Sequence, residues 1–154
     1  MTWTIIRLDL IAWGGEIDRI FKSAYRLEAD LLGVDSFPPL ERNREDLTAC
    51  GNAFFGCLHN DELCGVMEIE TPESGNTRVI ASLAVAPSHF RLGIGKALVQ
   101  HAFSSFRTPI LVSTGADNEP AIRLYQALGF RLTRRFTTPD GIAMVELATG
   151  RSGG

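Results

Sequence analysis

Apolar residues recur along this chain with two periods. Over residues 3 to about 10 they alternate with polar ones, as on a half-buried strand. From about residue 16 to residue 32, Ile17, Ile20, Phe21, Ala24, Leu27 and Leu31 return at steps of three and four. That marks one face of a helix, closed by Gly33. Phe37-Pro38-Pro39-Leu40 excludes regular helix and central strand, because proline lacks a donor and restricts its predecessor. A short helix is predicted over residues 44–49. Residues 53–58 and 63–69 read as strands joined by the turn His59-Asn60-Asp61-Glu62, and Pro72-Glu73-Ser74-Gly75-Asn76 turns into a third strand, residues 78–85.

Helical spacing returns from Gly93 to about Phe106, with Ile94, Ala97, Leu98, His101 and Ala102 on one face. Residues 110–113 form a short buried strand. A helix over 119–128 carries Pro120 in its first turn and stops at Gly129. Residues 130–136 and 142–147 make a last hairpin around Pro139-Asp140-Gly141. The order β-α-α-β-β-β-α-β-α-β-β combines antiparallel pairs with one β-α-β crossover, so the class is α/β (α+β) with a mixed sheet.

Composition narrows the possible functions. At 154 residues with 45% hydrophobic and 21% charged positions, the chain suits one domain that buries roughly 70% of its unfolded surface. We expect that domain over residues 1–149, with 150–154 as a mobile tail. A net charge of −3 argues against a general nucleic-acid binder. No apolar run approaches the roughly 18–20 residues of a membrane span, and the start does not read as a signal peptide, so the expected place is the cytoplasm, with no membrane partner. Cys50, Cys57 and Cys64 fit no zinc spacing, no metal is expected, and free thiols are.

The most informative chemistry lies in residues 82–98. An apolar strand ends at Pro87, a basic loop follows, and Gly93 and Gly95 precede an amphipathic helix. Unpaired amides and a positive dipole end make such a helix start an anion site. A P-loop is excluded, since Phe90 stands where its first glycine belongs and Ala97 where Ser or Thr is required. A dinucleotide fingerprint is excluded by Leu98 at its third small position and by the long loop after Val85.

Leu83-Ala84-Val85-Ala86-Pro87 followed by Phe90-Arg91-Leu92-Gly93-Ile94-Gly95-Lys96-Ala97-Leu98 resembles the acetyl-CoA motif of the GNAT superfamily of N-acyltransferases. Asn118-Glu119-Pro120-Ala121-Ile122-Arg123-Leu124-Tyr125-Gln126-Ala127-Leu128-Gly129-Phe130 resembles that family's second motif at the right distance downstream. The two motifs with their intervening strand cover about a third of the chain. Phe90 departs from the usual Gln or Arg, with Arg91 one place later.

The resemblance implies a single-domain fold. Its mostly antiparallel sheet of about seven strands splays at a central V and is flanked by about four helices. It implies transfer of the acetyl group of acetyl-CoA directly to a primary amine of a small molecule or peptide, and it admits a homodimer. Backbone groups of Leu83, Ala84 and Val85 would pair with the pantetheine arm. Arg91, Leu92, Gly93, Ile94, Gly95 and Lys96 would cradle the pyrophosphate, and Asn118 would contact the arm or cap its helix. Val85 N–H would face the oxyanion, and Tyr125 would be the general acid at the sulfur. The family's frequent glutamate is absent, because Ala81 holds its place. Glu68 and Glu70 on the neighbouring strand are the candidate bases, directly or through water, with Ser82 able to orient such a water. Phe37-Pro38-Pro39-Leu40-Glu41-Arg42 and Trp13 fall where family members place the acceptor wall. His101 reads as a packing residue, and Arg131, Arg134 and Arg135 as a solvated face. The rival reading is an acyl-CoA sensor that kept the cleft and lost catalysis.

Overall fold

Asp9 decides where the first helix begins. Its carboxylate accepts from the amide of Ile11 at 2.9 Å, so strand β1 is confined to Thr4–Arg7 and helix α1 runs Leu10–Leu32, six residues earlier than periodicity alone suggests. Gly33 ends α1 at φ 68°, and Val34 N–H closes onto Ala29 C=O at 3.1 Å. The buried line on α1 is Ile17, Ile20, Phe21, Tyr25 and Ala29. Leu27 and Leu31, expected on the core face, are 41% and 54% exposed. The stripe steps by four through Tyr25, whose phenol masked it as a core position.

The computed structural model describes residues 2–35, 39, 42–70 and 77–149. After α1 come α2 (Arg44–Ala49), β2 (Ala53–His59), β3 (Glu62–Glu70) and β4 (Arg78–Val85). A single 3-10 turn, Pro87–His89, leads to α3 (Ile94–Ser105), then β5 (Ile110–Gly115), α4 (Glu119–Ala127), β6 (Phe130–Thr137) and β7 (Ala143–Thr149). The seven strands form one sheet in the order β1-β2-β3-β4-β5-β7-β6, with β4 and β5 its parallel pair. The α/β (α+β) class and the expected element order hold. The β2–β3 turn falls where expected: Asn60 and Asp61 at φ 52° and 63° make a two-residue hairpin turn between His59 and Glu62. The turn at 72–76 and the tail at 150–154 lie outside the described residues.

Two cores sandwich the sheet. Ile17, Ile20, Phe21, Leu47, Phe54 and Val66 pack under α1 and α2, while Met67, Ile80, Ile94, Leu98, Val112 and Tyr125 pack under α3 and α4. Residues 63 to 69 of β3 are buried without interruption because helices cover both faces. Cys64 is an extra residue there: Cys57 pairs with Gly65 and Leu58 with Leu63. Its thiol bonds the carbonyl of Cys57 at 3.1 Å, and all three cysteines are free thiols. His101 packs on Phe55 with ring centroids 5.3 Å apart.

Candidate active site

A second bulge opens the sheet. β3 and β4 are in register through Glu68 and Ser82, then resume at Ile69 and Ile80, leaving Ala81 unmatched. A bulge bends its strand and increases its twist. β4 and β5 accordingly pair only at Arg78–Ile110, Val79–Leu111 and Ile80–Val112. Beyond Ile80 the strands diverge, and a cleft of about 540 Å³ lies between them. Ala86 N–H is spent on Cys64 C=O at 2.8 Å. Because successive strand amides point to opposite edges, those of Leu83 and Val85 turn toward the gap.

At one end of the gap the chain enters α3. Gly93 adopts φ 86° and Arg91 φ 66°, and no side chain caps the first turn of α3. The amides of Ile94, Gly95 and Lys96 are thus left to an external acceptor, with Arg91 and Lys96 exposed beside them. A Cβ on Gly95 would lie 3.4 to 3.9 Å from Leu124, Leu83 and Val85, so this glycine brings α3 close to the wall shared by β4 and α4.

Across the gap, α4 presents Tyr125 to the cleft. Its ring is 4% exposed and stacks edge-on with Phe130 at 5.3 Å. Burial, then the neighbouring Tyr25 and Glu28, pushes its phenol well above the ordinary tyrosine range, so it stays protonated. Asn118 caps α4: its Oδ1 accepts from Ala121 N–H at 3.3 Å, and its Nδ2 donates to Thr114 Oγ1 at 3.3 Å. Both halves of that amide therefore already serve the protein.

The other wall departs most from expectation. Glu68 is fully buried, and Arg42 grips it with two bonds of 2.7 and 2.6 Å. Asn52 Nδ2 adds a third at 2.7 Å, and the Cys50 thiol approaches at 3.6 Å. Burial works to raise this carboxyl, but the bonds from Arg42 and Asn52 and the Arg42 charge outweigh it and hold it below the usual range. A carboxylate so engaged is a poor proton acceptor, which removes the first candidate base. Glu70 sits exposed at the end of β3 and does not line the cleft. Trp13 likewise lies elsewhere, over a separate depression with Glu16, Arg19 and Asp61. Residues 37 and 40 are outside the described residues.

Sequence reading missed Tyr25, Glu28, Asp46 and Thr114, all of which line the cleft, whereas Pro39 and Arg42, on the segment expected at the acceptor wall, do line it. Tyr25 faces the same cleft as Ser82, and burial pushes its phenol well above the ordinary tyrosine range. Thr114 Oγ1 donates to Glu28 Oε2 at 3.3 Å. One signal was available: a tyrosine in phase with Ile17 and Phe21, followed three residues later by a glutamate, is a core stripe with a polar end.

A parallel strand pair that parts at a bulge, with an uncapped helix start at one end and a buried phenol opposite, defines a split-sheet transferase fold. The model of the "Acetyltransferase (GNAT) family" matches residues 16–130, and the chain belongs to that family. It is 32% identical over 123 residues to the UPF0157 protein YqkA of Bacillus subtilis (strain 168), covering 79% of this chain and 35% of that protein. It is 43% identical over 56 residues to the peptidyl-lysine N-acetyltransferase YiaC of Escherichia coli (strain K12), covering 36% of this chain and 37% of that one. The matched region spans about a third of the length of these curated relatives. The PaiA N-acetyltransferase of Thermoplasma acidophilum, solved in complex with coenzyme A, superposes with a TM-score of 0.76 at 16% identity, over 95% of this chain and 98% of that one. That likeness concerns the fold. Among the described residues no helix is long and apolar enough to cross a membrane, and no group of His, Cys, Asp or Glu is arranged to hold a metal.

Proposed function

We propose that this protein is an N-acetyltransferase that moves the acetyl group of acetyl-CoA directly to a primary amine of a small molecule or peptide. The observation that carries the reading is the gap between β4 and β5 beyond Ile80 and Val112, which offers unpaired strand edges to a ligand. The residues fit acetyl-CoA along its length. Leu83, Ala84 and Val85 supply an edge for the pantetheine, and the amides from Arg91 to Lys96 supply a seat for the pyrophosphate. Asn118 acts through its cap, which fixes the helix that carries Tyr125.

The chemistry needs a neutral amine, a stabilised oxyanion and a proton for the departing sulfur. The neutral nitrogen attacks the thioester carbonyl carbon, forming the C–N bond. Val85 N–H faces the oxygen that becomes negative. The C–S bond then breaks, Tyr125 gives its proton to sulfur, and the nitrogen returns a proton to Tyr125 as the amide forms. A phenol held protonated by burial suits that donor role.

Incubation of the protein with acetyl-CoA and a panel of primary amines and lysine peptides tests the reading, with thiol release as the measurement. Amine-dependent release is expected. Tight acetyl-CoA binding without release for any amine would overturn it in favour of a sensor that kept the cleft, a role with which the methyl group at Ala81 is compatible. Cytoplasmic residence and self-association belong to the same proposal, and the amine as its partner requires neither nucleic acid nor membrane.

A further inference from the structure

With Ala81 at the bulge and Glu68 gripped by Arg42 and Asn52, the reaction still needs a group to take the ammonium proton. The carboxylates that line the cleft among the described residues are Glu28 on α1 and Asp46 on α2. Asp46 is committed to local structure, since its Oδ2 accepts from Asn43 N–H at 2.9 Å in the capping box of α2. Glu28 carries one bond, a 3.3 Å contact from Thr114 to its Oε2, which fixes the side chain and leaves Oε1 without a bond among the described residues. The groups around it are Tyr25 on its own helix, Tyr125 from α4, Arg42 and Asp46 at the α2 side, and Glu68 beneath Arg42. Arg42 and Glu68 neutralise each other, so the charge offered to a ligand is negative. Glu28, Tyr25 and Tyr125 line the same cleft, and the Glu28 charge helps to raise both phenols.

We propose that Glu28 is a catalytic residue that binds the acceptor ammonium and takes its first proton, and that the acceptor is a primary amine without a neighbouring carboxylate. This rests on the acetyltransferase reading above. The ammonium gives one proton to the Glu28 carboxylate, and the neutral amine attacks the thioester carbon. The second nitrogen proton replaces the one Tyr125 gives to sulfur. Products are the amide, the free thiol and a protonated Glu28, which releases its proton to water.

The test compares the wild-type chain with Glu28→Gln, which keeps the shape and the Thr114 contact. The acceptors are 1,5-diaminopentane, 6-aminohexanoate and an N-terminally blocked lysine peptide. At pH 7, kcat/KM for the diamine should fall about 100-fold in the variant, a general-base effect. The deficit should shrink to a few-fold near pH 9.5, where the amine supplies its own neutral form. Acetyl-CoA binding by calorimetry should not change. The wild type should favour the diamine over 6-aminohexanoate by about 10-fold, equivalent to about 1.4 kcal/mol, because the carboxylate of the latter is repelled by Glu28. An equal deficit at both pH values, no deficit, or a preference for 6-aminohexanoate overturns the proposal. Failure of the wild type to acetylate any acceptor overturns the acetyltransferase reading as well, and the two failures are thereby told apart.

Discussion

On the wall made by β4, α3 and α4, the cleft presents amides of Leu83 and Val85, the uncapped first turn of α3, and a few polar side chains, Ser82, Asn118 and Tyr125. On the wall made by α1, α2 and β3, it presents side chains drawn from several separate stretches: Tyr25, Glu28, Arg42 and Asp46, with Glu68 buried behind Arg42. The first wall is uniform and largely apolar, and its partners lie within two contiguous segments. The second is ionic and assembled from distant parts of the chain. A site that holds the same ligand in every relative can be written in backbone, whereas a site that chooses its acceptor must be written in side chains.

The largest expected difference between the walls is in stability. Arg42→Ala leaves Glu68 buried with its two short bonds removed, and should cost about 3 kcal/mol or more in urea unfolding. A loss under about 1 kcal/mol would show that the ionic wall is not a stabilising unit. On the opposite wall, Tyr125→Phe should leave unfolding almost untouched and lower kcat about 100-fold, with acetyl-CoA affinity retained. Equal activity in the variant would remove Tyr125 from the proton path.

A smaller effect probes how the backbone wall is seated. A Cβ on Gly65 would meet Ile94 Cγ2 at 2.6 Å, at the first residue of α3. Gly65→Ala should therefore cost about 1–2 kcal/mol by overpacking and weaken acetyl-CoA binding, because the helix start must shift. Stability lost without any change in binding would mean that the position of α3 does not govern the anion seat.

The smallest effect is in pH dependence. Glu68 titrates lower in the folded protein than in the unfolded chain. Its ionised form thus stabilises the fold fully above the usual carboxylate range, and that contribution is lost as pH falls through the folded value. The stability gap between the wild type and Glu68→Gln should narrow as pH drops below about 4. A gap that widens on acidification would contradict the ion-paired state of Glu68.

Much of the first wall was legible in sequence because its signals are local. Gly93 and Gly95, the Pro87 stop, and Asn118 followed by Tyr125 each act within a few residues. The element order followed from periodicity for the same reason. The first helix start was misjudged because Asp9, a cap, was read as part of an alternating strand. The second wall was legible only in the segment that carries Pro39 and Arg42. Glu68 and Glu70 share a strand face, so alternation made them equivalent, yet one is buried against Arg42 and the other is exposed. Trp13 belongs to the same helix as Tyr25 and Glu28, but a different depression lies beneath it.

The sequence alone determined the class of fold, the uncapped helix start after Gly93 and the helix that carries Tyr125. These depend on turns, caps and residue spacing that operate over one or two helical turns. The tertiary structure alone decided where the sheet splits, that Glu68 is spent on an arginine 26 positions away, and that Glu28 meets Thr114 across 86 positions. Such contacts arise only when separate elements pack into one cleft, and no periodicity within a single element encodes them.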